Sequence, residues 1–151
     1  MPPDSSGGAL PLTGADCFLR AFEAEVRRKT KASHLSQLVL RLGPGFDAEA
    51  FRQLIGEVSA ANPIVRAPIR RRRLVPVYQL DRAAPLPGVR IEQHYDPGPG
   101  SSDYMVPFLG PIPEVFFQRL NDRFDARGGK LLCFDIVTRG GAQPGTDIAM
   151  T

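Results

Sequence analysis

The chain has 151 residues, the usual size of one folding unit, and 42% of them are hydrophobic while 23% are charged. This composition is that of a globular protein and excludes the low-hydrophobicity, high-charge profile of a disordered chain. The 19 Lys and Arg against 16 Asp and Glu leave a formal charge of +3, which is too small to indicate a nucleic-acid partner by itself.

The N-terminal segment has neither the basic start nor the apolar stretch of a signal peptide. No later segment approaches the roughly 18 apolar residues of a membrane span, so we expect a cytoplasmic protein. Pro, Gly and Ser dominate residues 1–11, which we predict to be a disordered arm ahead of one domain over residues 12–151. Cys17 and Cys133 stand far apart within apolar patterns, and we interpret both as reduced, buried side chains.

The first predicted helix begins at Thr13. Asp16 stands where the acid of a capping box reaches back to the first free amides of a helix. Phe18, Phe22 and Val26 recur at four-residue spacing, which predicts an apolar stripe facing the core.

A strand, a turn and a second helix are predicted next. Apolar residues alternate over Leu38 to Leu42, as in a strand, and a Gly-Pro-Gly turn ends it. Asp47 is a plausible N-cap for the second helix, which Asn62-Pro63 ends. The apolar residues of this helix at helical spacing are Phe51, Leu54, Ile55 and Val58.

The remaining elements are short. We predict extended segments over Ile64 to Ile69, Leu74 to Tyr78, Val89 to His94, Leu131 to Val137 and Ile148 to Thr151. A short third helix is predicted with Pro113 in its first turn. Helices interleaved with strands, some joined by hairpin-length turns, predict an α/β fold with a mixed sheet and helices packed on it.

An arginine-rich segment is the main candidate binding site. Its five guanidinium groups lie within eight residues and belong to Arg66, Arg70, Arg71, Arg72 and Arg73. Such a group could bind phosphates of CoA, of a phosphopantetheine-bearing carrier protein, of nucleic acid or of anionic lipid. The plainer interpretation is a solvated turn between two short strands, since no aromatic residue interleaves the arginines.

The sequence offers no catalytic or metal-binding group. His34 and His94 are the two histidines, and we interpret both as surface residues with no second His or Cys nearby for a metal. The glycine-rich stretches lack the spacing and the terminal Lys-Ser/Thr of a phosphate-binding loop. We therefore assign no catalytic residue and no metal site, and we expect no required cofactor.

Three stretches, taken in order, resemble the first half of the chloramphenicol-acetyltransferase-like fold, which condensation domains and wax-ester-synthase-like acyltransferases share. They are PLTGADCF at Pro11 to Phe18, the segment from Phe46 to Arg66 that ends in NPIVR, and FDARGGKLLCFDIV at Phe124 to Val137. The resemblance runs from about Leu10 to Thr151. It implies the N-terminal lobe of such a domain, incomplete at its C-terminus.

The resemblance also implies a chemistry. In this family, the second His of a His-His-x-x-x-Asp-Gly motif takes a proton from an alcohol or amine, which attacks a thioester on CoA or on a carrier protein. The motif should follow the strand near Asp147, and the sequence reaches Thr151 without it. We therefore expect a partial acyltransferase lobe that is inactive alone, with an acyl-CoA or phosphopantetheine-linked donor implied by the resemblance only.

Two kinds of partner follow from these expectations. A partial lobe should expose the apolar face that the missing C-terminal lobe covers, and should therefore aggregate or dimerise. The alternative is a stand-alone, non-catalytic interaction module that docks an acidic partner, such as a carrier protein, through Arg66 to Arg73. A nucleic-acid binder is a third interpretation, which rests on the arginines alone.

Overall fold

The structure is a computed structural model that describes residues 8–33, 35–80, 86–94, 105–106, 110–122, 131–141 and 144–151. Its helices are α1 (Gly14–Thr30), α2 (Ala48–Ala61) and α3 (Glu114–Leu120), and a single 3₁₀ turn spans Pro63–Arg66. The strands are β1 (Ala9–Pro11), β2 (Leu38–Leu42), β3 (Ile69–Arg72), β4 (Val75–Gln79), β5 (Gly88–His94), β6 (Met105–Val106), β7 (Gly110–Pro111), β8 (Cys133–Arg139) and β9 (Gly145–Met150).

The largest sheet has the strand order β2-β9-β8-β5. β9 is antiparallel to both of its neighbours, while β8 and β5 are parallel. Leu40, Ile148 and Ile136 stand opposite one another across the three strands, so they share one face. The predicted α/β class with a mixed sheet and packed helices is confirmed.

Helices cover both faces of this sheet. On one face, α3 and Ile112, two residues before it, form the buried core with strands β8 and β9. Its members are Ile112, Val115, Phe116, Val137 and Ala149. On the other face, α2 places Phe51 edge-on against Phe134, with the ring centroids 5.6 Å apart. Successive residues of β8 alternate between these faces, as the pleat requires.

A second, antiparallel sheet has the order β1-β4-β3. β1 contains the last three residues of the predicted arm, so the prediction of disorder is wrong for Ala9–Pro11. The reason is that β4 offers these residues a free strand edge, and Leu10 pairs with Tyr78 there. β6 and β7 form a separate two-stranded ladder.

The hairpin between β3 and β4 has a two-residue turn, Arg73-Leu74, because Arg72 pairs with Val75. Both turn residues have positive φ, 49° and 72°. Such turns favour Asn and Gly, since a side chain in the left-handed region meets its own backbone. The turn therefore holds two bulky side chains in a costly conformation, with Leu74 fully in solvent.

The expectation of an extended segment directly after α2 is wrong. The segment from Ile64 to Ile69 was expected to be extended, but the chain turns over Pro63–Arg66, where Pro63 stands in the first helical turn. The backbone bonds from Val65 to Asn62 and from Ala67 to Ile64 close this turn. Only at Ile69 does a strand begin.

Helix α1 is the largest departure from expectation. Its predicted capping box is present, but the helix buries no residue, and Phe18 and Phe22 are 66% and 41% exposed. The stripe therefore does not face the core, and Cys17 is exposed rather than buried, while Cys133 is partly buried. Spacing alone could show that α1 has an apolar side, but not that Phe18 and Phe22 on that side stay largely exposed.

Candidate functional site

The arginine-rich segment lies mostly on the second sheet. Arg70, Arg71 and Arg72 form most of β3, Arg73 stands in the turn, and all four side chains are exposed. Arg66 is different, because only 8% of it is exposed. The 3₁₀ turn interrupts the extended backbone before β3, so Arg66 does not continue the arginine row. Arg66 is therefore not part of the exposed group that Arg70 to Arg73 form, and its role in binding a partner stays a prediction.

A cleft opens between α1 and the β3–β4 hairpin, with a volume of about 620 Å³. Its lining residues are Leu12, Cys17, Arg20, Ala21, Ile69, Arg70, Arg71 and Pro76. Two of the predicted binding arginines thus share a concave site with Arg20 and Cys17, which the sequence analysis did not connect to them. No sequence signal could have done so, since these residues lie about 50 positions apart and only the fold brings them together.

Among the described residues that line the cleft, three are arginines and none carries a carboxylate. Arg20 and Arg71 make no hydrogen bond or ion pair with any residue in the described part of the chain. The two acids nearest to Arg20 in sequence already have partners, since Glu23 forms an ion pair with Arg27 and Asp16 accepts hydrogen bonds from Thr13. Thr13 donates to Asp16 Oδ2 from its amide at 2.8 Å and from its hydroxyl at 2.7 Å.

The same capping box reaches β4. These bonds lower the pKa of Asp16, first through the Thr13 hydroxyl and then through the Thr13 amide, and a weaker bond to Tyr78 acts in the same direction. Burial raises the pKa of Tyr78, and the adjacent Asp16 carboxylate adds to this effect. Tyr78 therefore stays neutral beside the Asp16 carboxylate at the start of α1.

The C-terminal end of β9 is the second region of interest, because the resemblance places the catalytic motif directly after it. Thr151 and Cys133 exchange two backbone hydrogen bonds of 2.8 and 2.9 Å. Gln37 Nε2 donates to Thr151 Oγ1 at 2.9 Å and to the Phe116 carbonyl at 3.0 Å. Thr151 is buried, so the end of β9 is held on both its backbone and its side chain.

Buried ion pairs hold strand β9, which leads to Thr151, in its place in the sheet. Asp147 on β9 is fully buried and accepts from Arg41 Nε at 2.9 Å and from Arg41 Nη2 at 3.0 Å. Arg139 forms a second ion pair with it, at 3.3 Å. Arg41 also donates to the Pro111 carbonyl at 2.6 Å. One carboxylate therefore ties β2, β8 and β9 together with the segment before α3.

A second buried carboxylate lies on the same face of the sheet. Arg119 of α3 donates to both oxygens of Asp135, at 2.8 and 2.9 Å. This hydrogen bonding raises the pKa of Arg119. Sequence reasoning missed both buried pairs, although an Asp inside an apolar strand such as CFDIV was a usable signal, since a buried carboxylate needs a partner.

Neither histidine is among the described residues that line the cleft. His34 lies outside the described residues, and His94 ends β5, opposite Arg139. Among the residues that the structure describes, no group of three or more His, Cys, Asp or Glu could hold a metal ion. Within the same residues, no helix is both long and apolar enough to cross a membrane.

Comparison with known proteins shows a likeness at the level of structure. No family model matches the chain, and neither does any curated protein. Among solved structures, the chain is similar to the condensation domain of the monacolin K polyketide synthase MokA, with a TM-score of 0.59 and 13% sequence identity. The fold is condensation-domain-like.

The coverage of this likeness is unequal. The match spans 94% of this chain but only 29% of the MokA chain, so this chain corresponds to less than a third of that protein's length. At 13% identity the likeness shows the fold alone. The expected condensation-type fold is thereby supported, whereas the acyltransferase activity, the docking role of the arginines and the domain limits stay predictions.

Proposed function

We propose that this chain is the N-terminal lobe of a CoA- or carrier-protein-dependent acyltransferase of condensation type, and that it is inactive without a second lobe. The condensation-like fold of less than a third of the MokA length supports this proposal. In such an enzyme, this chain forms one wall of the site and positions the segment that follows β9.

The observation that carries the proposal is the apolar surface of three elements. Each element has two or more large hydrophobic residues that are at least 41% exposed. They are Phe18, Leu19 and Phe22 on α1, Leu38 and Leu40 on β2, and Leu54 and Val58 on α2. Several large apolar side chains exposed on one element make it a candidate interaction surface, because soluble monomers rarely expose large contiguous apolar patches. A second lobe packed on these elements would remove that surface from water.

In the proposed enzyme, the general base and the residues that position it come from different parts of the protein. Neither His34 nor His94 belongs to a His-His-x-x-x-Asp-Gly segment, so the general base must come from residues outside this sequence. That base would take the proton of an alcohol or amine, whose oxygen or nitrogen attacks the thioester carbonyl while the thiol leaves. This chain contributes by holding β9, through Asp147 and Gln37, in the position from which the base is delivered.

The first test reads the coding sequence that follows the Thr151 codon, in all three frames. We expect a His-His-x-x-x-Asp-Gly segment within a few codons. A stop codon with no such segment in any frame would contradict the proposal.

The second test measures activity. The chain extended through the second lobe is expected to release thiol from an acyl-CoA in the presence of an alcohol or amine acceptor, followed with a thiol-reactive dye. The 151-residue chain alone should release none above background, and alanine in place of the second motif histidine should abolish release by the extended chain. Thiol release by the short chain itself would show that catalysis needs no second lobe.

A second candidate function rests on a different observation. Arg71, Arg72 and Arg73 are exposed and have no hydrogen-bond or ion-pair partner among the described residues. A non-catalytic module could use them, with Arg70, to dock an acidic carrier protein. Serine at all four positions should then weaken binding of a phosphopantetheine-loaded carrier protein, with the largest difference at low salt. Serine at Lys29 and Lys31, at the C-terminal end of α1, is the control and removes two charges instead of four; an equal loss of affinity per charge removed would refute this role.

A further inference from the structure

We propose that the cleft between α1 and the β3–β4 hairpin is a binding site for an amphipathic phosphate monoester. Arg20 and Arg71 bind the phosphate, and the apolar chain lies along Leu12, Ile69 and Pro76. The site is separate from the end of β9 and does not rest on the acyltransferase proposal.

The size of the cleft suits a small ligand. Ligand pockets in proteins usually measure roughly 300–1,000 Å³, and this cleft, at about 620 Å³, lies within that range. Its two walls come from different elements, with Cys17, Arg20 and Ala21 on α1 and Ile69 to Arg71 on β3. A ligand can therefore be held from two sides.

The charge of the cleft favours a dianion. Arg20 and Arg71 approach from opposite walls, and no described acid neutralises either of them. A phosphate monoester carries about −1.5 to −2 charges at neutral pH, and guanidinium groups bind phosphate oxygens through paired N–H donors. One phosphate can thus neutralise both walls, whereas a carboxylate brings a single charge.

The apolar part of the lining favours a ligand with a hydrophobic chain. Along β3 the side chains alternate, so Ile69 and Arg71 share one face of the strand. Ile69 is only 8% exposed, and the partly buried Leu12 and Pro76 lie beside it. Inorganic phosphate would use only the basic part of this lining.

The direct test is calorimetric titration of the 151-residue chain with octyl phosphate below its micelle concentration. Burial of the alkyl chain should make octyl phosphate bind at least about tenfold more tightly than inorganic phosphate. Octanol, which lacks the charge, and 4′-phosphopantetheine, whose chain is polar, should both bind more weakly than octyl phosphate. Equal affinity for inorganic phosphate, or for phosphopantetheine, would overturn the amphipathic assignment.

Matched arginine variants locate the site. Arg20→Gln and Arg71→Gln should each weaken octyl phosphate binding about tenfold, the usual loss of a charge-assisted hydrogen bond. Arg72→Gln and Arg73→Gln remove the same charge outside the cleft lining and should change the affinity by less than about twofold. Equal losses in all four variants would mean that the arginines attract anions without a site.

The site can also be tested on the unaltered chain, so that this test does not depend on the folding of a variant. Cys17 lines the cleft and is exposed, whereas Cys133 is partly buried and is not among the lining residues. Octyl phosphate should slow iodoacetamide labelling of Cys17 several-fold and leave labelling of Cys133 unchanged, as read from the two peptides by mass spectrometry. Unchanged labelling of Cys17 at saturating octyl phosphate would overturn the proposal.

Discussion

Asp147 is the residue on which the largest sheet depends most. It is fully buried and pairs with Arg41 and Arg139 from the two neighbouring strands. We predict that Asp147→Ala lowers the free energy of unfolding by about 3 kcal/mol, because it leaves two guanidinium groups without their shared carboxylate. Urea denaturation measures the change.

Asp122 provides the matched control for this prediction. It also pairs with an arginine, Arg119, at 2.5 Å, but its side chain is 55% exposed. Asp122→Ala should therefore cost less than about 1 kcal/mol. If the two variants lose similar free energies of unfolding, burial does not determine how much the Asp147 ion pairs stabilise the fold.

The capping box of α1 gives a second prediction at the scale of single residues. Thr13→Ala should lower the free energy of unfolding by about 1 kcal/mol, since it leaves the Asp16 amide without its acceptor. Thr13→Ser keeps the hydroxyl and should retain most of that stability. If both variants unfold at the same urea concentration as the unaltered chain, the box does not contribute.

The lowered pKa of Asp16 gives this contribution a pH dependence. The folded state favours the ionised carboxylate, so the stabilisation is complete well above 3.8, the ordinary pKa of the group, and is lost as the pH falls through the lower folded value. Urea midpoints of the unaltered chain and of Asp16→Asn should therefore converge below pH 3.8. If the difference between the two urea midpoints persists unchanged below pH 3.8, the pH-dependent stabilisation comes from a group other than the Asp16 carboxylate.

At the scale of elements, the first residue of β9, Gly145, has no room for a side chain. A Cβ at Gly145 would collide with the Leu42 carbonyl oxygen and would lie 2.7 Å from an Arg139 side-chain nitrogen. We predict that Gly145→Ala destabilises the chain by about 2 kcal/mol, because the backbone of β2 cannot move away without breaking the ladder. Gly140→Ala, where no atom lies within 4 Å, should be nearly neutral, and thermal unfolding compares the two.

The elements differ in how well local sequence specified them. The cap residues Thr13 and Asp47 fixed where α1 and α2 begin, because a capping side chain acts only on the amides just after it. The turn over Pro63–Arg66 was missed, since a four-residue turn has too short a period to detect. The pairing of β1 with β4 was missed because its partner lies about 70 residues away.

At the scale of the whole molecule, the exposed apolar residues of α1 predict self-association. The 151-residue chain should elute from size exclusion as a dimer or larger species, and Phe18→Ser with Phe22→Ser should shift it towards the monomer. The control, Ala24→Ser, lies on the same helix and removes no large apolar side chain. A chain that is already monomeric and does not bind a hydrophobic dye would contradict the role of α1 as a lobe interface.

Sequence by itself determined the helix starts, the alternating strands, the α/β class and the arginine row, because each depends on residues that are neighbours along the chain. Only the tertiary structure decided that Arg66 is buried, that Arg20 and Arg71 line one cleft, and that Asp147 joins three strands. It also decided that α1 leaves its phenylalanines in solvent. Burial and long-range pairing depend on which distant segments pack together, and the spacing of residues along the chain does not indicate which segments those are.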